Sequence, residues 1–188
     1  LNPPLTMREM YKDLEGGGSQ FPPLGIALLA AVIREKGYNV KILDTLALNM
    51  NGEQAIKEIL KESPDYLAVT SITISIYNAQ EIIQTLKKTN PTMKIIVGGP
   101  HVTAAPEETM KVFPEFDVGV IGEAEDTFVE LLDHLDNNKP LDDVAGLLIR
   151  KEGKIIRTAP RPLIKDLDKL PFPAWDLLPD LLTYYQRE

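Results

Sequence analysis

Five short clusters hold the residue types from which a ligand site can be built: Asn2-Pro3-Pro4, Asp44-Thr45, Ser71-Ile72-Thr73, Gly98-Gly99-Pro100-His101 and Gly122-Glu123. Two of them suggest a chemistry. In Ser71-Ile72-Thr73-Ile74-Ser75-Ile76, hydroxyls alternate with isoleucines, so an extended backbone turns all three hydroxyls to one side. Short hydroxyls supply hydrogen bonds without bulk, as a planar ring edged with amides requires. The same run also reads as a strand end followed by a helix, with Ser75 or Asn78 as its cap. In Gly98-Gly99, two missing side chains open the backbone to a ligand, whereas a tight turn needs only one glycine.

Composition removes many other chemistries. The 188 residues include no cysteine, which excludes disulfides, thiolate zinc, iron–sulfur clusters and cysteine nucleophiles within this chain. His101 and His134 are too far apart in sequence to form a metal-ligand pair by spacing, and no catalytic or metal-ligating set is expected. A net charge of −8 argues against nucleic acid or an anionic membrane as partner. No apolar run approaches the ~20 residues of a membrane span, and no signal peptide opens the chain. The chain starts at Leu1 and reads as a piece of a longer cytoplasmic protein.

These clusters must be held by repeating strands and helices. Continuous apolar runs at Val40–Leu43, Tyr66–Thr70, Lys94–Val97 and Val118–Ile121, with Leu1-Asn2 as the stub of a first strand, predict five strands. Between them, Leu24, Leu28, Leu29, Val32 and Ile33 recur at helical spacing up to Gly37. Ala55, Ile56, Ile59 and Leu60 mark a second helix, and Ala79, Ile82, Ile83 and Leu86 a third. A short helix opens at Pro106, and another is marked by Phe128, Leu131, Leu132 and Leu135. Strands apolar on both faces, alternating with helices, predict an α/β fold: a flavodoxin-like, Rossmann-like, doubly wound parallel five-stranded sheet. Gly146–Arg150 and Lys154–Arg157 predict a small hairpin about Glu152-Gly153. The segment to Gln20, with Gly16-Gly17-Gly18-Ser19, is expected to be a flexible loop, and the proline-rich stretch after Ala159 a linker. The boundaries are therefore 1–140 for the ligand domain, 141–158 for the hairpin and 159–188 for the linker. Trp175 is expected to pack that linker against a domain, and His134 to lie on a polar helix side.

Open parallel sheets bind ligands beyond the carboxyl ends of their strands, which is where all five clusters fall. A dinucleotide would need G-x-G-x-x-G straight after the first strand, and a nucleoside triphosphate G-x-x-x-x-G-K-[ST]; both are absent. Asp44 would suit a ribose, but an acid at a strand end is common. A receiver domain would need clustered acids after strand one, where Asn-Pro-Pro stands. Flavin mononucleotide stays open on fold grounds, although the first loop lacks a Ser/Thr-rich phosphate pattern.

The residues carry a resemblance. Ser71-x-Thr73 and Gly98-Gly99 resemble two of the three signatures of cobalamin (vitamin B12) binding domains. The third, D-x-H-x-x-G, whose His ligates cobalt, has no counterpart, since the first loop contains no His. More specifically, five motifs stand in order: Asn2-Pro3-Pro4, Pro22-Pro23-Leu24-Gly25, Gly98-Gly99-Pro100-His101, Gly122-Glu123-Ala124-Glu125 and Asp166-Leu167-Asp168-x-Leu170-Pro171-Phe172-Pro173-Ala174-Trp175-Asp176. Over essentially the whole chain this is similar to the N-terminal region of B12-dependent radical S-adenosylmethionine enzymes, such as methyltransferases and the anaerobic magnesium-protoporphyrin ester cyclase. Ala124 departs from the family's usual glycine. The resemblance implies a cobalamin-binding module, not catalytic alone. It also implies a further domain of the same polypeptide, absent from this chain, that carries S-adenosylmethionine and a [4Fe–4S] cluster on C-x-x-x-C-x-x-C. It implies cobalamin contacts from Pro3, Pro4, Gly25, Ser71, Ile72, Thr73, Gly98, Gly99, Pro100, His101, Gly122 and Glu123. His101 is expected to touch the ligand without binding cobalt. Glu123 and Glu125 also suit a helix N-terminus through its dipole. A flavin or nucleotide module, and a degenerate domain serving assembly, are the alternatives.

Overall fold

The structure is a computed structural model that describes residues 1–5 and 21–185. The expected flexible loop with Gly16–Ser19 lies outside the described residues. Strands β1 (Tyr66–Thr70), β2 (Lys94–Gly98) and β3 (Val118–Val120) pair in parallel. Strands β4 (Leu147–Lys151) and β5 (Lys154–Arg157) add to β3 antiparallel, giving one sheet in the order β1-β2-β3-β4-β5.

The sheet is therefore mixed rather than five-stranded parallel. The first two expected strands shrink to one parallel bridge, Asn2 to Asp44. Asn2 N–H donates to the Leu43 carbonyl (3.0 Å), and Thr45 N–H to the Asn2 carbonyl (3.3 Å). Pro3 and Pro4 lack N–H groups, so this ladder cannot extend. Residues 40–43 lie at the sheet's open side, half-buried or exposed rather than enclosed. The winding order nonetheless survives. Leu1 bonds to Ala68 (2.6 Å) and Thr70 (3.1 Å), so residues 43–45, residues 1–2, β1, β2 and β3 lie side by side.

Helices α1 (Leu24–Glu35), α2 (Gly52–Glu62), α3 (Ile76–Thr89), α4 (Pro100–Ala104), α5 (Pro106–Val112) and α6 (Glu125–Asp136) cover both faces, and a short α7 (Leu181–Tyr184) follows. Alternation along β2 shows why the strands read as continuous apolar runs. Ile95 and Val97 join Ile59, Ile83, Val102 and Met110 under α2 to α5, while Ile96 joins Ile33, Phe128 and Leu131 under α1 and α6. Local signals set the helix ends. Asn51 and Gln54 form a reciprocal capping box on α2, and Gly37, at φ +89°, follows α1. None of the described helices is long and apolar enough to cross a membrane.

The amino end of the sheet is closed by polar bonds. Arg150 donates to the carbonyls of Phe116 (3.1 Å), Phe113 (3.0 Å) and Met110, closing the end of α5. Tyr38 and Tyr66 both donate to Asp136 at 2.7 Å, and burial with that carboxylate pushes each phenol up to about 12.

The proline-rich stretch lies on the domain as a strap. Ile164 N–H bonds Glu123 (2.7 Å), Ala174 N–H bonds the Ala27 carbonyl (2.9 Å), and Asp176 receives both Arg34 Nη atoms (2.6 and 3.1 Å). Ala27, Ala30 and Ala31 form a small-residue face on α1 that admits this close approach, and Ala174 packs into it beside Leu177. Packing falls to Ala174 and its leucines, while Trp175 stays partly exposed.

Candidate ligand-binding edge

The expected site residues gather at the carboxyl end of the sheet, around the point where winding reverses. Residues 1–2 lead into the segment before α1 on one face, and β1 leads into α3 on the other. The crevice between two such adjacent strands is where open α/β sheets take ligands. Asn2-Pro3-Pro4 and Ser71–Ile74 flank it.

The hydroxyl row does not form. The chain leaves extended geometry after Ile72 and turns through residues 73–75 into α3. Ser71 and Ser75 are buried: Ser71 Oγ reaches only the Gly98 carbonyl at 3.5 Å, and Ser75 Oγ exchanges hydrogen bonds with Ile72 N–H and carbonyl at 3.2 Å. Ser75 therefore braces the turn before α3. Its side chain does not cap the helix, whose start follows a turn rather than a strand end. The exposed members are Ile72 (42%), Thr73 and Ile74 (51%), while Ile76 joins the core at 1%. The edge thus offers an apolar platform with one hydroxyl. Leu24, the first of the residues at helical spacing in α1, is also exposed, at 56%.

The two glycines differ. A Cβ on Gly99 would lie 2.6 Å from Thr70 Oγ1 and 2.9 Å from Ser71 N and O, at φ +97°. The protein's own β1 terminus occupies the slot expected there for a ligand, so the fold itself requires this glycine. A Cβ on Gly98 would meet Val120 at an ordinary 3.7 Å. At Gly25, in the first turn of α1, and at Gly122, after β3 and at φ +75°, an added Cβ would meet no atom of the described residues within 4 Å, as also at Gly37 and Gly153.

Pro3 is buried and Pro4 half-buried, and the Pro4 carbonyl accepts from Asn78 Nδ2 at 2.9 Å. Pro100 and His101 begin α4, with His101 N–H on the Ser71 carbonyl (3.1 Å) and Nδ1 3.1 Å from Thr73 Oγ1. Partial burial holds the imidazole below the ordinary histidine value, which favours its neutral form. His101 lines a groove of about 220 Å³ with Ile76, Tyr77, Val112 and Phe113. Gly122 N–H donates to Thr103 Oγ1 (3.1 Å), and Glu123 is committed to Ile164 of the strap. Glu125 and Asp126 do occupy the first turn of α6. His134 Nδ1 sits 2.7 Å from the Pro140 carbonyl.

Asp44, weighed from sequence only as an acid suited to a ribose, is instead a buried polar centre whose partners sequence reasoning missed. Asp44, 1% exposed, accepts from Asn2 Nδ2 (2.8 Å), Ala47 N–H (3.3 Å) and Tyr185 OH (2.7 Å). Burial and this carboxylate push the Tyr185 phenol far above its ordinary value, so it stays a donor. The available signal was an acid closing an apolar run; its partners lie 42 and 141 residues away. Among the described residues, no cluster of His, Asp or Glu is placed to hold a metal ion.

Comparisons with known proteins bear on this edge. The family model for the B12 binding domain matches residues 17–132. An uncharacterized methyltransferase of Pyrococcus horikoshii is 41% identical over 162 residues, covering 86% of this chain and 35% of that protein. The anaerobic magnesium-protoporphyrin IX monomethyl ester cyclase of Rubrivivax gelatinosus is 29% identical over 178 residues, covering 90% and 32%. The chain thus spans about a third of the length of these relatives. Among solved structures, the cobalamin-dependent S-adenosylmethionine radical enzyme OxsB, with aqua-cobalamin and S-adenosylmethionine bound, superposes with TM-score 0.77 at 21% identity, covering 94% of this chain and 24% of that one. The radical S-adenosylmethionine methyltransferase TsrM of Kitasatospora setae, with cobalamin and a [4Fe–4S] cluster bound, gives 0.66 at 20%, covering 74% and 28%.

Proposed function

The chain belongs to the B12 binding domain family, and from that premise we propose that it holds cobalamin against the carboxyl edge of its sheet as the cofactor module of a larger radical S-adenosylmethionine enzyme. The observation that carries this reading is the open, largely apolar edge between Gly25 and Gly122. A side chain at Gly25 would fill space that the described residues leave clear, and Leu24, Ile72 and Ile74 stand exposed. A broad, flat ligand with an apolar face and a rim of amides fits such a surface.

Each residue then has a task. Ile72, Ile74 and Leu24 shed water against the ligand's apolar surface, each worth at most about 1–2 kcal/mol because each is already half covered. Thr73 Oγ1 and the His101 imidazole, already paired, supply a donor and acceptor at the rim. The backbone at Gly98 and Pro100, with Pro3 and Pro4 opposite, lines the crevice. Gly25 acts by leaving room, whereas Gly122, at φ +75°, is required by its own backbone as well. Glu123 works on the strap rather than on ligand amides. Bound cobalamin would supply a cobalt centre able to carry a methyl group or support radical chemistry.

The chemistry of the whole enzyme, methyl transfer or ring closure, belongs on this reading to a further domain of the same polypeptide with S-adenosylmethionine and a [4Fe–4S] cluster. This chain then stores and presents cobalamin in the cytoplasm and performs no turnover alone. Competition between hydroxocobalamin and flavin mononucleotide, followed by absorbance and by retention on gel filtration, tests the reading. Co-elution of cobalamin with a changed spectrum supports it, while retention of flavin with cobalamin passing through overturns it.

A further inference from the structure

Through Tyr185 the strap reaches Asp44, which holds Asn2 at the start of the Asn2-Pro3-Pro4 wall. Asn2 is held by Leu43 and Thr45 through backbone bonds, by Thr45 Oγ1 on its carbonyl (2.7 Å), and by Asp44 on its side chain. The next two residues, Pro3 and Pro4, have no N–H with which to join a ladder. Their position is therefore inherited from Asn2 on one side and from the Asn78 bond to Pro4 on the other. The same Asp44 carboxylate receives Tyr185 OH on its second oxygen. The Tyr185 ring packs with Ala27, Ala47 and Leu178, so one residue touches the ligand helix α1, the segment after Asp44 and the strap. Upstream, the strap is fastened at Glu123, beside the opposite wall of the edge. Two points of one continuous segment are thus tied to residues that border the crevice.

We propose that Asp44 is a positioning residue for the Asn2-Pro3-Pro4 wall and that Tyr185 is a latch coupling the strap to it, so that ligand binding and strap docking reinforce each other. This rests on the cobalamin reading. Coupling of this kind is reciprocal: if the docked strap tightens ligand binding by some factor, the bound ligand tightens strap docking by the same factor. The Ala174 amide, bonded to the Ala27 carbonyl, reports docking directly.

The test measures hydroxocobalamin affinity of the 188-residue chain, and hydrogen exchange across residues 174–184 with and without that ligand, in wild type, Tyr185→Phe and Asp44→Asn. Tyr185→Phe keeps the packed ring and removes only the hydroxyl. The wild type is expected to show strap exchange slowed about tenfold by hydroxocobalamin. Tyr185→Phe should lose most of that slowing and bind hydroxocobalamin weaker by a similar factor. Asp44→Asn, which keeps the shape and one acceptor oxygen, should retain part of both effects. A purely structural hydroxyl would lower the melting temperature while leaving affinity and ligand-dependent protection at wild-type levels, and that result overturns the latch. Wild type that binds hydroxocobalamin without slowing strap exchange also overturns it. Wild type that fails to bind overturns the cobalamin reading and the latch together.

Discussion

Replacing Gly99 with alanine should damage the fold rather than the ligand site. The added Cβ would sit 2.6 Å from Thr70 Oγ1 and 2.9 Å from two backbone atoms of Ser71. Backbone at the end of a buried strand cannot swing aside as a flexible side chain can. Forcing a non-glycine residue to a φ of +97° costs about 1–3 kcal/mol, and the overpacking a comparable amount. For a chain of this size, each kcal/mol lowers the melting temperature by about 2–4 °C, so a fall of about 10 °C is expected. Gly25→Val is the contrasting variant, because it adds bulk where no atom of the described residues lies within 4 Å and within a helix. Its melting temperature should stay within about 3 °C of wild type, while cobalamin affinity should drop at least about tenfold, or 1.4 kcal/mol. Thermal melts and cobalamin titrations well below the transition, on the same samples, give both numbers. If Gly99→Ala melts like wild type but no longer binds cobalamin, the assignment of Gly99 to the fold is refuted.

Two further outcomes can be checked on the apo chain. Arg150→Ala strips three carbonyls at the amino end of their cationic donor and should cost about 2 kcal/mol. Chemical denaturation reads that loss, and cobalamin affinity should not follow it, because the site lies at the opposite end of the sheet. His101 has a folded-state affinity for protons below its unfolded one, because burial disfavours the imidazolium. The unfolded chain therefore binds more protons, and stability falls as pH drops through the ordinary histidine range near 6.5 and below. His101→Gln should flatten that part of the melting profile between pH 7 and pH 5; parallel profiles would show that His101 contributes nothing to it.

Much of this layout is legible in the sequence because the signals are local. Within the runs at Tyr66–Thr70 and Lys94–Val97, Leu67-Ala68-Val69 and Ile95-Ile96-Val97 are apolar toward both faces, as a doubly covered strand requires, and both strands form. What failed depended on partners. Val40–Leu43 reads as a strand, but a strand needs a neighbour, and its neighbour is two residues long before two prolines. The Ser71–Ser75 alternation has period two, yet a turn ends the extended geometry after Ile72 and buries the outer hydroxyls. Gly99 looked available to a ligand because sequence shows a missing side chain and not what fills the space. Glu123 and Asp44 find their partners 41 and 141 residues away on the strap, a separation over which composition predicts only a proline-rich linker.

The central claim is that cobalamin lies on the carboxyl edge between Gly25 and Gly122. Mapping backbone amide shifts of the labelled chain during a hydroxocobalamin titration tests it most directly. Shifts concentrated at Leu24–Ile26, Ile72–Ile74, Gly98–His101 and Gly122–Ala124 are the predicted result. Saturable shifts centred instead on the amino end, around Tyr38, Tyr66 and Asp136, or no saturable shifts at all, would contradict it.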